Sequence, residues 1–381
     1  MVVKTVNSTR FDIHQLQDAT EFFNEHGFVV LRDILSDREL QGISSGWESL
    51  ITDASQKVGL DKREFETRFP QNRDLWRKND TFKELLFDSA QAEVAASLLG
   101  VSGVRLFHDH AITKPTRESS TIPWHQDNAY WPIDRAGLSL WTPVDDVDVD
   151  GGCLTILAGS HLDGPEPPQD FLSQTSSWQE DDPRLTHIPV QRGETVILHG
   201  LTWHASYPNR SKRDRLAYLT LWVPATSRYQ TDTADWHPTA RFIDVEPGNR
   251  LDGEFFPLFG EVASEDEGKA VSFPPPENIS GLSMFKAGHQ ISSQLSWLLN
   301  QPEDSIATMV SDNDADTIAA TAVASGITPA ANQSALADLL NDLAMNEKVR
   351  RESVARDVYL HTIQQWWQLA GARIDEVMTD G

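Results

Sequence analysis

Three residues of this sequence could bind one metal ion. His125 and Asp127 are separated by a single residue, and His204 comes much later in the chain. If the fold brings them together, two imidazoles and one carboxylate occupy one face of the metal and leave the other coordination positions open. This donor set suits Fe(II), whose open positions accept a chelating cosubstrate and dioxygen. The pattern therefore predicts an iron site with His125, Asp127 and His204 as metal ligands and catalytic residues.

An arginine beyond His204 could bind the far end of such a cosubstrate. Arg215 lies at the start of a predicted strand, from which its guanidinium could point into a barrel. Arginine offers a planar bidentate fork and stays charged when buried, which suits a dicarboxylate. Arg213, two residues earlier, would face the same side of that strand. The pattern alone therefore leaves both arginines open.

The elements that must position these residues are predominantly short strands. Apolar runs broken by Gly, Pro, Asn and Asp extend from Val104 to Pro224, which is typical of an all-β sandwich or barrel. The predicted strands are 104–113, 137–144, 153–157, 194–198 and 215–223. Helices over 12–27 and 36–56, a helical region over 82–99 and a short strand over 28–31 are predicted before them. His108 and His110 share one strand face, as expected of hydrogen-bonded residues in a barrel wall.

The last third of the sequence differs in residue pattern from the strand-rich segment before it. An acidic cluster and Pro274–Pro276 indicate a linker over 261–281. Leucines at the spacing of one helix face, for example Leu336, Leu339 and Leu343, predict a helical C-terminal extension over 282–381. The predicted domains are then 1–260, the linker 261–281 and the extension 282–381. The extension could pack against the core or join two copies of the chain in a homo-oligomer.

Composition limits the partners of the protein. The chain has 381 residues and a formal net charge of −25, without a basic patch that would attract phosphates. Nucleic acid and membrane surfaces are therefore not expected as partners, whereas a small-molecule substrate is. The single cysteine, Cys153, excludes an internal disulfide. Without a signal-peptide pattern or a long apolar run, the expected location is cytoplasmic.

Several segments between about residues 15 and 224 share their order and spacing with one known family. They are Glu25–Arg32, His125–Asp127, Leu140–Asp146, Gly151–Leu154, Gly159–His161, Arg192–Glu194 and His204–Arg215. In these segments the sequence resembles the phytanoyl-CoA dioxygenase (PhyH-like) branch of the iron(II)/2-oxoglutarate oxygenases.

The resemblance implies a mainly β fold with flanking helices, whose core is a double-stranded β-helix (a jelly roll, cupin-like). It implies Fe(II), 2-oxoglutarate and O2 as cofactors and cosubstrates, with the metal held by the two histidines and the aspartate. It also places four residues around 2-oxoglutarate: Arg215 and Ser206 at the far carboxylate, Trp141 as a pocket wall, and His110 beside the pocket. His110 stands where the family does not usually have a histidine.

The activity implied is that of an Fe(II)- and 2-oxoglutarate-dependent dioxygenase that hydroxylates a small organic molecule and releases succinate and CO2. Epimerisation, desaturation or ring formation are alternative outcomes. Asp127 argues against halogenation, because halogenating relatives lose this carboxylate. Two other classes fit the metal ligands: a metal-binding jelly-roll sensor without oxidative activity, and a Zn²⁺-dependent hydrolase or isomerase. A sensor has no need of a dicarboxylate site, so Arg215 and Ser206 distinguish it from the oxygenase.

Overall fold

The computed structural model describes residues 10–57, 61–68, 71–117, 119, 121–168, 182–230, 239 and 242–273. The chain divides into two compact units. One comprises 1–48, 73–169 and 174–277, and the other comprises 49–72, 170–173 and 278–381. The predicted C-terminal extension, with its leucine pattern, lies outside the described residues.

The described α-helices precede the main strands. They are α1 (Leu16–His26), α2 (Asp37–Lys57), α3 (Lys62–Arg68), α4 (Leu75–Lys78), α5 (Asp80–Asp88) and α6 (Gln91–Leu99). Short 3-10 helices occur at Ile13–Gln15, Asp127–Tyr130 and Ser160–Leu162. None of the helices in the described part of the chain is both long and apolar enough to cross a lipid bilayer.

Twelve strands are described. They are β1 (Arg10–Asp12), β2 (Phe28–Arg32), β3 (Gln71–Arg73), β4 (Gly103–Lys114), β5 (Ile122–His125), β6 (Leu138–Pro143), β7 (Leu154–Leu157), β8 (Leu185–Ile188), β9 (Glu194–His199), β10 (His204–Ser206), β11 (Arg215–Pro224) and β12 (Leu258–Gly260). The five strands predicted between Val104 and Pro224 are all present as β4, β6, β7, β9 and β11, with ends within one residue of prediction. The prediction did not include β5, β8 or β10.

The strands form two sheets. The larger has the order β1-β2-β9-β6-β11-β4-β12, with β3 paired to β4, and the smaller has the order β5-β10-β7-β8. Apolar residues of both sheets, among them Val30, Trp141, Ile156 and Val196, pack in a shared buried core. A mainly β core with flanking helices is thereby confirmed.

The helix ends match local sequence signals. Gly27 ends α1 in the left-handed conformation (φ 75°), and its N–H donates to Phe23 O at 2.8 Å. A Cβ atom at Gly27 would lie 2.5 Å from Thr202 Oγ1, so the position also requires glycine for space. Before α2, Ser36 N donates to Glu39 Oε2 at 2.6 Å and Glu39 N donates to Ser36 Oγ at 3.3 Å. This is the capping box predicted there.

The helical region predicted over 82–99 consists of two helices, α5 and α6. They are separate because Ser89 adopts an extended backbone (φ −92°, ψ 166°) that ends α5. The apolar spacing continues across the break, since both helices bury one face, and so the periodicity concealed it. Gly100 ends α6 as predicted, with φ 64°.

The described part of the predicted linker, 261–273, comes directly after β12, which pairs with β4. Within it Val271 and Phe273 are buried with Leu201, and Asp266 forms ion pairs with Arg228 and Arg250 at 3.1 and 2.9 Å. Residues 274–281 lie outside the described residues.

Candidate active site

Two strands of the smaller sheet carry the two histidines. His125 is the last residue of β5, His204 is the first residue of β10, and the two are direct partners in the antiparallel ladder. Their ring centroids are 4.1 Å apart. Asp127 lies two residues after His125 and begins a short 3-10 helix, which turns its carboxylate back towards the pair.

The three side chains converge on one point. His125 Nε2 lies 3.3 Å and His204 Nε2 lies 3.7 Å from Asp127 Oδ1, and one nitrogen or oxygen atom from each residue lies within 4.8 Å of the others. Metal–ligand bonds of roughly 2 Å allow atoms at these separations to share one ion. The structure therefore brings together the three residues that the sequence singled out.

Hydrogen bonds orient each of the three donors. His125 Nδ1 donates to Pro123 O at 2.8 Å, and His204 Nδ1 donates to Thr202 O at 2.9 Å. Because a carbonyl oxygen only accepts, each ring carries its proton on Nδ1 and presents an Nε2 lone pair. Ser139 Oγ donates to Asp127 Oδ2 at 2.5 Å and leaves Oδ1 towards the histidines. Such supporting contacts are typical of metal ligands.

The electrostatics of the cluster favour the charge states that a metal needs. Burial lowers the pKa of His204 to about 4, assisted by the charge of His125 and opposed by Asp127, so the ring is neutral at neutral pH. Burial alone would raise the pKa of Asp127, but the adjacent rings of His204 and His125 and the hydrogen bond from Ser139 lower it below its ordinary range. A neutral imidazole and an ionised carboxylate are the metal-binding forms.

Arg215 is a buried cation near the other end of β10. The residue is 4% exposed, and its Nη1 donates to Gly152 O at 2.6 Å and to Ser206 Oγ at 3.0 Å. Burial lowers the pKa of Arg215 to about 10, which leaves it charged at neutral pH. Among the described residues no carboxylate forms an ion pair with it. A buried charge without a counter-ion is costly, so this pocket is suited to a bound anion.

Ser206 and Trp141 lie beside Arg215. Ser206 is two residues after His204 on β10, so both side chains face the same side of the strand. Ser206 Oγ donates to Gly152 O at 2.9 Å and accepts from Arg215. The Trp141 ring lies 5.4 Å from the guanidinium carbon of Arg215. Ser206 thus connects the strand of the metal cluster to the anion pocket.

Arg213, the alternative to Arg215, is exposed in the turn before β11. The expectation that the two arginines share a strand face does not apply, because β11 begins at Arg215. Only Arg215 is therefore placed inside the sheet interior.

His110 lies apart from the Arg215 pocket. In the β4–β11 ladder His110 pairs with Leu219, whereas Lys114 pairs with Arg215. His110 therefore lies about 13 Å along the strand from the Arg215 level, at about 3.3 Å per residue. A second histidine, His108, is its polar neighbour, at 3.4 Å between the two Nδ1 atoms.

Two further residues of the site carried no sequence signal. Ser139 holds Asp127, and buried Lys114 donates from Nζ to Ser206 O and Tyr207 O at 2.8 and 2.9 Å. Ser139 lies on a predicted strand, and Lys114 directly follows one. Their contacts with β10 and with the 3-10 helix depend on tertiary structure, and no local sequence pattern predicts them.

Comparison with known proteins agrees with this geometry. Residues 23–217 match the profile of the family described as phytanoyl-CoA dioxygenase (PhyH). The chain is 24% identical over 233 residues to the peroxisomal phytanoyl-CoA dioxygenase of Bos taurus, covering 55% of this chain and 68% of that protein. It is 24% identical over 259 residues to the Homo sapiens protein of the same name, covering 59% of this chain and 76% of that protein.

A solved structure shares the fold. The crystal structure of SnoK, a non-heme alpha ketoglutarate dependent carbocyclase from nogalamycin biosynthesis, superposes with a TM-score of 0.52. The sequences are 23% identical, and the superposition covers 64% of this chain and 95% of SnoK. Since the family profile covers more than half of the 381 residues and includes the whole His125, Asp127, His204 and Arg215 constellation, this chain belongs to the phytanoyl-CoA dioxygenase (PhyH) family.

Proposed function

We propose that this chain is an Fe(II)- and 2-oxoglutarate-dependent dioxygenase that hydroxylates a small organic molecule with O2 and releases succinate and CO2. The observation that carries the proposal is the buried, charged Arg215, which has no carboxylate partner among the described residues and is connected through β10 to the His125–Asp127–His204 cluster. A metal site alone would serve many functions. A metal site beside an unneutralised buried guanidinium suits a metal-chelating dicarboxylate.

In this proposal His125 Nε2, His204 Nε2 and one oxygen of Asp127 hold the iron. Neutral imidazoles and a carboxylate suit Fe(II) and leave positions for a chelating keto acid and for O2. When bound, the iron supplies the oxidation, in which O2 is consumed as the keto acid loses CO2 and the substrate gains a hydroxyl group. The hydrogen bonds to Pro123 O, Thr202 O and Ser139 Oγ keep the three donors aimed at one point.

At the other end, Arg215 would bind the 5-carboxylate of 2-oxoglutarate. Its guanidinium is held by Gly152 O and Ser206 Oγ, and the ring of Trp141 covers one side of it. Burial excludes water from the ion pair and strengthens it. Because both ends of the keto acid would be fixed by the protein, its 1-carboxylate and keto oxygen would be presented to the metal in one orientation.

The sensor and the zinc-dependent hydrolase or isomerase account for the metal cluster but leave Arg215 without a ligand. Epimerisation, desaturation and ring formation would use the same residues and differ only in the fate of the oxidised substrate. No contact in the described residues favours one of these over hydroxylation.

The test is anaerobic titration of metal-free protein, first with Fe(II) and then with 2-oxoglutarate. We expect a weak visible charge-transfer band that appears only when both are present and saturates with 2-oxoglutarate. As matched controls, glutarate in place of 2-oxoglutarate lacks the keto group and should give no band, and Zn²⁺ in place of Fe(II) should give none. A wild-type protein that binds Fe(II) but gives no band with 2-oxoglutarate would contradict the proposal.

A further inference from the structure

Three buried polar side chains form a row of contacts. They belong neither to the metal cluster nor to the Arg215 pocket. Arg73 on β3, and His108 and His110 on β4, are 5%, 2% and 6% exposed. Arg73 Nη1 lies 3.4 Å from His108 Nε2, and His108 Nδ1 lies 3.4 Å from His110 Nδ1. The row joins a cation at one end to His110 at the other.

The strand register puts the two histidines on the side of the sheet that faces the metal cluster. In the β4–β11–β6 ladders, His108 is opposite Leu221, which is opposite Ser139. Partners in antiparallel strands project to the same side of a sheet. Ser139 in turn donates to Asp127, so His108 lies on the same side as the hydrogen bond that holds the carboxylate.

His110 lies in the next row, opposite Leu219 and hence in line with Trp141. Burial and the positive charge of Arg73 lower the pKa of His110 to about 3, and the negative charge of Asp127 opposes this shift. His110 is therefore neutral, and it lies within electrostatic reach of both Arg73 and the carboxylate of the metal cluster.

The chemistry of the donors fixes the direction of every hydrogen bond in the row. A guanidinium has only donors, so His108 Nε2 accepts from Arg73. A neutral His108 then carries its proton on Nδ1 and donates it to His110 Nδ1. Because His110 is neutral and accepts at Nδ1, its own proton is on Nε2.

The Nε2–H of His110 is thus a donor with a set direction. It lies on the far edge of the ring from His108, and among the described residues it donates to no protein acceptor. A donor with a set direction and no protein acceptor favours a ligand that places an acceptor oxygen opposite it.

We propose that Arg73 and His108 are positioning residues that hold His110 in its Nε2–H tautomer, so that His110 donates to a carboxylate or carbonyl oxygen of a molecule bound beside Asp127. The acceptor oxygen belongs either to the keto acid or to the substrate that is hydroxylated. Only the identity of this acceptor rests on the proposed function. The tautomers of His108 and His110 are a property of the protein without ligands.

The tautomers can be measured in the full chain without metal. With ¹⁵N-labelled histidine, long-range ¹H–¹⁵N spectra distinguish a ring protonated on Nδ1 from one protonated on Nε2, and His108→Gln and His110→Gln assign the signals. We expect His108 as the Nδ1–H form and His110 as the Nε2–H form. A wild-type spectrum with His110 protonated on Nδ1 would overturn the proposal without recourse to any further variant.

Substitution of Arg73 tests its positioning role. Arg73→Met removes the donor, so both histidines should lose their single tautomer and show mixed signals. Arg73→Lys keeps a donor and should retain them. His187, whose Nδ1 lies 2.8 Å from Thr155 Oγ1, provides an unaffected reference signal in the same spectra. Unchanged tautomers for His108 and His110 in Arg73→Met would show that Arg73 does not position them.

Anaerobic titration of the Fe(II) protein with 2-oxoglutarate identifies which molecule supplies the acceptor oxygen. If His110 donates to the keto acid, His110→Leu and Arg73→Met should each weaken the binding of 2-oxoglutarate by about tenfold. This is the usual effect of losing a hydrogen bond to a charged group. If 2-oxoglutarate binds these variants as it binds the wild type, the acceptor is on the substrate. Weakening by His110→Leu while Arg73→Met binds normally would contradict the coupling of the row. A wild type that gives no band contradicts the proposed function and leaves the tautomer result standing.

Discussion

Arg215 Nη1 donates to Ser206 Oγ at 3.0 Å, which connects the first residue of β11 to the strand that begins with His204. Through this contact a buried cation and the His125–Asp127–His204 cluster are held in one framework. A ligand with a carboxylate at one end and a metal-chelating group at the other can engage both. Each end can therefore be tested by its own substitution.

Arg215→Met should weaken 2-oxoglutarate by tenfold or more, because a buried charge-assisted hydrogen bond is lost, while leaving Fe(II) affinity nearly unchanged. Titration of the visible band at saturating Fe(II) measures the first quantity, and anaerobic metal titration measures the second. Arg213→Met is the matched control, since Arg213 is exposed. An equal loss of both affinities, or a larger effect from Arg213→Met, would show that the anion site lies elsewhere.

Asp127→Ala should abolish succinate formation, because the metal loses its only anionic protein ligand in the proposed site. Succinate formed from 2-oxoglutarate under air, together with bound iron per chain, provides the measurement. Asp145→Ala, at an exposed aspartate, is the control and should behave as the wild type. Turnover retained by Asp127→Ala would remove this residue from the metal site.

Ser139→Ala should lower Fe(II) affinity by roughly 10–100-fold, the usual cost of removing a hydrogen bond that orients a metal ligand. The substitution deletes the hydroxyl that donates to Asp127 Oδ2 and leaves the β6 backbone intact. Competition with a chelator of known affinity measures the change, and far-ultraviolet circular dichroism checks the fold. Ser45→Ala, on the exposed side of α2, is a serine control. Unchanged affinity would mean that Ser139 does not orient Asp127.

Asp109 should make the stability of the protein fall as the pH rises towards 7. Burial and the charge of Asp74 raise the pKa of Asp109 to about 7 from 3.8, against hydrogen bonds from Tyr218 and Trp76. Between these pH values the folded state binds a proton that the unfolded state does not. Its contribution is therefore complete below pH 3.8 and is lost as the pH rises through about 7.

Denaturant unfolding of the wild type and of Asp109→Asn, from pH 5 to pH 8, measures this contribution. Buried histidines such as His204, with a pKa lowered to about 4 from 6.5, act in the opposite direction below pH 6.5. The difference between wild type and variant therefore isolates Asp109, and it should decline as the pH rises. A difference that stays constant over this range would show that Asp109 is ionised throughout.

The sequence by itself predicted much of the chemistry. The metal ligands are few, and only certain residue types can bind a metal. Their order along the chain does not depend on the fold. Helix ends at Gly27 and Gly100 and the capping box at Ser36 were predictable as well, because a cap depends on contacts within a few residues.

Other features were decided only by the tertiary structure. Whether Arg213 or Arg215 faces the interior depends on where β11 begins, and the break at Ser89 depends on how α5 and α6 each bury an apolar face. The partners of Ser139 and of the Arg73–His108–His110 row come from strands far apart in sequence. The periodicity of apolar residues predicts which side chains are buried, whereas the strand register decides which buried polar groups are in contact. Register is set by long-range hydrogen-bonded pairing, which no local pattern encodes.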